Sequence, residues 1–464
     1  MDYVQVSEIL SDGKKFLGSQ VKVAGWVRTA RDSKTMAFLA LNDGSSLKHL
    51  QIVVNKAEFD QAALAACLKN GVSVEAEGTV VTAMNDENGF ELNALSLALL
   101  GDCPSDYPLQ KKHHSLEFLR SVPHLRVRTN TFNAMLRVRS KLSFALHRFF
   151  QENGYTYIHT PIITGSDCEG AGEIFRVTTK NYADAKAAQD EAEYIATDFF
   201  RRKAGLTVSG QLEGEVAAMA MGKIYTFGPT FRAENSNTPR HAAEFWQIEP
   251  EVAFAKLPDI IKIAESMIKY VIKALLDECP EEIAFFEKAF EKGLREKLEK
   301  VVSSDFAVLD YTDAVEILKK AGDRFSYPVE WGLDLQTEHE RYITEEVMGK
   351  PVFVINYPKK IKSFYMKQND DGKTVAATDL LVPGVGEIIG CSEREADLDK
   401  LTAAMTERGM NLDDYKGYME LRKYGTVPHS GFGLGLERIL MYVTGIGNIR
   451  DVQLYSRTSG DLMA

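Results

Sequence analysis

Between Val21 and Leu100, apolar and polar positions alternate in short runs: VKVAGWV, MAFLALND, LKHLQIVV, VSVEAEGTVV and FELNALSLALL. Turn-forming stretches such as NDGSS and NDENG separate them. Period-two alternation between turn signals predicts strands, and five of them in so short a span predict a small antiparallel barrel of the OB type over residues 1–103. Barrels of this type bind oligonucleotides on an exposed face through rings and positive charge. Arg31, Phe38 and Gln51 could supply a guanidinium, a stacking ring and an amide there, or could be ordinary barrel residues.

The period changes after Gly101–Tyr107, GDCPSDY, a turn-rich stretch that opens a linker assigned to residues 104–125. In TNTFNAMLRVRSKLSFALHRFFQENG, Phe132, Met135, Leu136, Leu142, Leu146, Phe149 and Phe150 follow helical spacing, with Thr129 or Thr131 as N-cap and Gly154 as the stop. A short strand, YTYIHTPIIT, follows, and its Pro161 suits an edge or a break. A long helix ending in an edge strand could pair with a symmetry mate. Charged amphipathic helices are expected as insertions near 180–203 and 256–320, among them AFFEKAFEKGLREKLEKV. The remaining strands, KIYTFGPTFR, FWQIEPEVAF, PVFVINYP and SFYMKQ, lack regular βαβ alternation, and the chain closes on HSGFGLGLERILMYVTG. Residues 126–464 are therefore expected to form an α+β domain, a mainly antiparallel sheet flanked by helices.

At 464 residues and 45% hydrophobic content the chain can hold two or three packed domains. A formal charge of -11 argues against indiscriminate coating of nucleic acid, while leaving local basic tracks at 111–114 and at Arg126, Arg128, Arg137 and Arg139. The first residues carry no apolar run of signal type, and no segment reaches the roughly 18 apolar residues of a membrane helix, so a cytoplasmic location is expected. Five cysteines without a CxxC pair suggest reduced thiols, with neither a zinc site nor a disulfide scaffold.

Three stretches carry chemistry. FRAENSNTPRHAAEFWQIEPE, Phe231 to Glu251, reads as a hairpin with a long polar loop. An arginine on such a strand offers a planar fork to a phosphate and Phe245 a stacking face to a base, which describes a nucleotide site. A salt-bridged surface hairpin would explain the charge but not the aromatics. In GFGLG the glycines permit close approach of a backbone or a ligand, or serve tight sheet–helix packing, and Arg438 stands where a phosphate could sit. TDLLVPGVGEIIGCSERE places Asp379 and Glu387 on either side of a Pro-Gly turn, where they could share a hard cation, and Arg394 could address a carboxylate or amide.

Taken together, the helix and strand ending at Pro161, the FRAE hairpin and the GFGLGLERI helix resemble, in order and spacing, the three motifs of class II aminoacyl-tRNA synthetases. With the amino-terminal barrel they resemble the aspartate, asparagine and lysine subgroup over nearly the whole chain. Within it the likeness is to the bacterial asparaginyl-tRNA synthetases: Trp246 follows Glu244-Phe245, Glu249 stands where aspartyl enzymes carry Asp, and CEGAGEIF, WGLDLQTEHERYITE and YPKKIKSFYMKQ are similar to asparaginyl segments. In SGQLEG, Gly214 aligns with a lysine that in aspartyl enzymes pairs with the substrate carboxylate, a charge that a neutral amide does not need.

The resemblance implies an asparagine–tRNA ligase that activates L-asparagine with ATP and Mg²⁺ to asparaginyl-adenylate, transfers it to tRNA(Asn), and works as a homodimer through the first motif. By the same likeness, Arg232 would hold the ATP α-phosphate and Arg438 the γ-phosphate. Phe245 would stack on adenine, with Glu234, Arg240, His241 and Glu244 around the nucleotide. Asp379 and Glu387 would hold Mg²⁺. Glu169, Ser209, Gln211, Glu249 and Arg394 would surround the amino acid. Arg31, Phe38 and Gln51 would read the central uridine of the anticodon. Cys391 departs from the small residue usual in relatives, and the tail lacks a proline expected around Ser456.

Overall fold

The structure, a computed structural model, describes residues 3–84, 86–168, 174–235 and 238–462. The chain divides into two compact units, Met1–Ala134 and Met135–Ala464.

In the first unit, β1 (Gln20–Asp32), β2 (Met36–Asn42), β3 (Leu50–Asn55), β4 (Ser73–Ala83) and β5 (Asp86–Gly101) close into a barrel in the order β1-β2-β3-β5-β4. Alternation decides the faces: Ala37, Leu39, Leu41, Ile52 and Val54 are buried inside, while the positions between them turn outward. Val6 and Ile9, from the short helix Val6–Asp12, join the barrel core. Where the β4–β5 register shifts at Glu77/Gly78, a Cβ on Gly78 would come 2.2 Å from the Asn93 carbonyl oxygen, so the bulge admits only glycine without a local shift. A helix at Gln61–Cys67, capped by Asp60, lies between β3 and β4 in a stretch too short to show helical periodicity in the sequence.

The second unit is built on an eight-stranded sheet in the order β11-β12-β13-β14-β15-β10-β9-β6. Its members are β6 (Thr156–Tyr157), β9 (Lys223–Phe231), β10 (Glu244–Ala253), β11 (Ala307–Asp310), β12 (Val352–Ile355), β13 (Ala377–Val382), β14 (Gly386–Glu393) and β15 (His429–Gly435). Neighbours are antiparallel except at the two edges, where β11–β12 and β6–β9 run parallel. The expected strand YTYIHTPIIT is split at Pro161: β6 stays on the sheet edge, and β7 (Ile163–Thr164) pairs instead with β8 (Gly205–Leu206). Proline cannot donate to a ladder, which explains the break.

The helix Asn130–Glu152 begins where the Thr129 hydroxyl accepts from the Phe132 amide, and it buries Phe132, Met135, Leu142, Leu146, Phe149 and Phe150. Gly154, at φ 77°, ends it. The stretch 256–320 holds the helices Leu257–Glu278, Pro280–Ala289, Leu294–Ser303 and Tyr311–Lys320. Gly293, at φ 80°, breaks the single helix that the charge pattern suggests for AFFEKAFEKGLREKLEKV. Around 180–203 there are two six-residue helices, Tyr182–Ala187 and Glu191–Ala196, each capped by an Asn or Asp.

Candidate active site

The site follows from the pleat of β10. Phe245, Gln247, Glu249 and Glu251 alternate along the strand and so share one face. The β10–β15 register sets Gln247 opposite Gly435 and Glu251 opposite Gly431, so the three glycines of GFGLG lie on that same face. Phe432 and Leu434 point the other way and are buried. One strand thus carries the working side chains while its neighbour carries none, and a cavity of about 270 Å³ opens above the glycine row.

Arg232, Glu234, Arg240, His241, Phe245, Arg438, Ser209, Gln211, Glu249, Arg394, Asp379 and Glu387 all line this cavity. Glu244 does not; it begins β10 opposite Phe231, and its carbonyl accepts from Gln453. Glu169 lies outside the described residues.

At one end, the Arg232 guanidinium sits 5.4 Å from the centre of the Phe245 ring. Arg438 donates Nη1 to the Glu387 carbonyl at 3.1 Å and to its carboxylate at 3.0 Å. Arg240 is held by Glu340 at 3.1 Å, the Val385 carbonyl at 2.6 Å and the Thr337 hydroxyl at 2.6 Å. Burial, seconded by Arg438, pushes the His241 pKa down, which favours a neutral ring.

At the other end, Glu249 accepts from the Ser209 hydroxyl, from the Gly210 amide at 3.0 Å and from the Thr226 hydroxyl at 3.2 Å. Arg394 is fully buried in a bidentate pair with Glu251 and donates Nη1 to Ser392 Oγ at 2.5 Å. A Cβ on Gly431 would run into the Glu251 carboxylate. That glycine therefore serves a side chain's approach rather than sheet–helix packing alone. Cys391 lines the cavity, and burial pushes its thiol well above the ordinary range; all five cysteines are buried thiols.

Asp379 and Glu387 converge beside Gly390, whose Cβ would stand 3.8 Å from Asp379 Oδ1 and 3.4 Å from Glu387 Oε1. Burial and the Glu387 charge push Asp379 up to about 6 against the pull of Lys362, whose Nζ lies 2.5 Å away. Burial also works against Glu387, but Arg438 and Lys362 outweigh it and hold Glu387 low. Among the described residues, no group of three or more His, Cys, Asp or Glu could hold a metal ion alone. Two hard oxygen donors kept apart by a glycine nonetheless fit Mg²⁺, which one or two carboxylates hold together with substrate phosphates.

In the barrel, Arg31 pairs across strands with Phe38, and Gln51 with Ala40, two residues along β2 from Phe38, so the three expected RNA-contacting residues share the outer face. Gln51 donates to Glu91 at 2.8 Å.

Two families match this chain: "tRNA synthetases class II (D, K and N)" over residues 115–459 and "OB-fold nucleic acid binding domain" over residues 21–100. Asparagine–tRNA ligase of Clostridium novyi is 54% identical over 460 residues, 99% of each chain. The chain belongs to the class II tRNA synthetases, in the asparagine–tRNA ligase family. Among solved structures, this synthetase resembles asparaginyl-tRNA synthetase from Pyrococcus horikoshii complexed with asparaginyl-adenylate, with a TM-score of 0.88 at 32% identity and full coverage of both chains. The Entamoeba histolytica asparaginyl-tRNA synthetase in complex with asparaginyl-adenylate gives a TM-score of 0.83 at 28% identity, covering 98% of this chain and 99% of that one.

Sequence reasoning missed Glu251, Glu340 and Glu437, which hold Arg394, Arg240 and the Trp246 amide of the synthetase in place, and Lys362, which pairs with the Asp379 carboxylate. Glu251 was within reach, because it lies two residues beyond Glu249 on the same strand face. The others meet their partners only through long-range contacts.

Proposed function

We propose that this synthetase activates asparagine with ATP on the β10 face and transfers the asparaginyl group to tRNA. The carrying observation is the order of groups along that face. Phe245 and the arginines lie at one end and Glu249 and Arg394 at the other, about 13 Å apart at strand rise, the scale of a nucleotide joined through its α-phosphate to an amino acid. Phe245 stacks on the adenine, with Glu234, Arg240 and His241 around the nucleotide. Arg232 takes the α-phosphate and Arg438 the γ-phosphate. Ser209, Gln211, Glu249 and Arg394 surround the amino acid. Asp379 and Glu387 hold Mg²⁺, which when bound neutralises phosphate charge.

The asparagine carboxylate attacks the α-phosphorus in line, the bond to the β-phosphate oxygen breaks, and pyrophosphate leaves. A terminal ribose hydroxyl of tRNA then attacks the adenylate carbonyl, releasing AMP, with its proton passing to solvent. No covalent enzyme intermediate forms, so rate enhancement rests on positioning and on fixed charge. A homodimer through the helix Asn130–Glu152 and edge strand β6 belongs to this reading, supported by Phe144, which is 62% exposed on that helix. So do anticodon contacts from Arg31, Phe38 and Gln51, and a cytoplasmic location, where buried thiols stay reduced. No helix among the described residues is long and apolar enough to cross a membrane.

The test is ATP–pyrophosphate exchange with asparagine, aspartate or lysine at matched concentrations. Exchange confined to asparagine is expected, and exchange driven by aspartate would overturn the substrate assignment.

A further inference from the structure

The helix Gln211–Met221 presents Gln211 to the cavity, and one turn further along it carries Glu215, which is fully buried and lines no part of that cavity. The Glu215 carboxylate is a meeting point. Oε1 accepts from Gln211 Nε2 at 3.0 Å and from the Tyr418 hydroxyl at 3.0 Å. Oε2 accepts from Arg422 Nη2 at 2.6 Å and lies 2.9 Å from His429 Nε2. Arg394 Nε stands 3.9 Å from Oε1. Two of these partners, Gln211 and Arg394, line the amino-acid end of the cavity. Burial works against the Glu215 charge, but Arg422, His429 and Arg394 outweigh it and hold the group well below the ordinary carboxylate range.

Beneath the amino-acid end, the carboxylates of Glu215 and Glu251 face the guanidiniums of Arg394 and Arg422. The formal charges of these four groups cancel; His429 and, on the cavity side, Glu249 stand outside that count. A neutral amide entering above this floor disturbs nothing, whereas a carboxylate would bring an uncompensated charge into a desolvated site.

We propose that Glu215 is a positioning residue that sets amino-acid specificity: it fixes Gln211, faces Arg394 across 3.9 Å, and supplies the negative charge that offsets Arg422 beneath the pocket, as an amide side chain requires. The inference rests on asparagine being the substrate. Without the Glu215 charge, the floor carries a surplus positive charge, which lowers the barrier to aspartate while the loosened Gln211 holds asparagine less well.

The experiment is pyrophosphate exchange with E215Q, E215D and the charge-balanced pair E215Q/R422Q, each first checked for native circular dichroism. In E215Q the KM for asparagine rises, the KM for ATP stays, and the kcat/KM ratio of asparagine to aspartate falls about tenfold, the scale of one charge acting across a partly buried pocket. In E215Q/R422Q the ratio returns toward the parent's while the asparagine KM stays raised. A folded E215Q with an unchanged ratio, or with both KM values rising together, would mean a merely structural group and overturn the proposal. Should E215Q not fold, E215D and the paired variant decide: a raised asparagine KM at unchanged ATP KM supports the proposal, and a parental asparagine KM in both overturns it. Absence of asparagine-dependent exchange in the parent enzyme, measured first, would instead overturn the substrate assignment itself.

Discussion

The barrel and the catalytic cavity both display polar side chains from one face of a sheet, yet they hold them differently. On the barrel's outer face Arg31 and Gln51 are exposed, and the packing that fixes their strands is a largely aliphatic core, with Cys67 and Cys103 and a few rings such as Phe90, on the opposite side. In the cavity, Arg394 is locked by Glu251, Arg438 by Glu387, Arg240 by Glu340 and Lys362 by Asp379. Exposed charge can wait for its ligand in water at little cost, whereas buried charge must be paired before the ligand arrives. The barrel's face should therefore tolerate substitution, and the cavity's should not.

The sharpest break between the two comes from arginine truncation. Arg232→Ala is expected to lower asparagine-dependent pyrophosphate exchange about a thousandfold, the scale of losing one fixed donor to developing charge, with the fold intact. Arg31→Ala should leave exchange unchanged; exchange surviving in Arg232→Ala would sink the role given to that residue. Next in size is a paired core test. Leu39→Ala and Ile248→Ala each remove a fully buried side chain and should each cost about 3 kcal/mol in denaturant unfolding. Only Ile248→Ala, beneath the catalytic face, should also slow exchange, and equal activity losses would erase the contrast.

Smaller again, Phe38→Ala should raise the KM for tRNA about tenfold in aminoacylation, the scale of one lost base stack, without touching exchange. A parental tRNA KM would remove Phe38 from the RNA face. The smallest effect is a shared one. Burial, helped by Arg28, pushes His49 in the barrel down, and burial pushes His147 in the catalytic unit down. In each case the unfolded chain takes the proton first, near pH 6.5, so stability is fully present above that pH and is lost as pH falls through the folded-state values. Unfolding titrations from pH 7.5 to 5 should show the slope, and His49→Gln should reduce it; an unchanged slope would leave the barrel histidine without a part in it.

How much was legible tracks the range of the interaction that decides each feature. The five barrel strands could be read because a half-buried strand writes its face into every second residue. The Asn130–Glu152 helix could be read because its apolar stripe and its capping residues are local. The break of YTYIHTPIIT into β6 and β7 was only hinted at by Pro161, since pairing with β8 depends on a segment some 40 residues away. In the site, Phe245, Glu249 and Arg232 stood out in one crowded hairpin. Glu215 did not, because its partners Tyr418, Arg422 and His429 lie some 200 residues further along the chain.

By itself the sequence determined the alternation that makes the barrel, the glycine row that leaves one strand face bare, and the residue types gathered around the cavity. Each is written in neighbours a few residues apart, where sterics and side-chain period act directly. The tertiary structure alone decided which carboxylate neutralises which cation. The pairs Arg394–Glu251, Arg422–Glu215, Lys362–Asp379 and Arg438–Glu387 join separate strands and helices, and whether a buried charge is a liability or a tool depends on the partner that folding sets beside it.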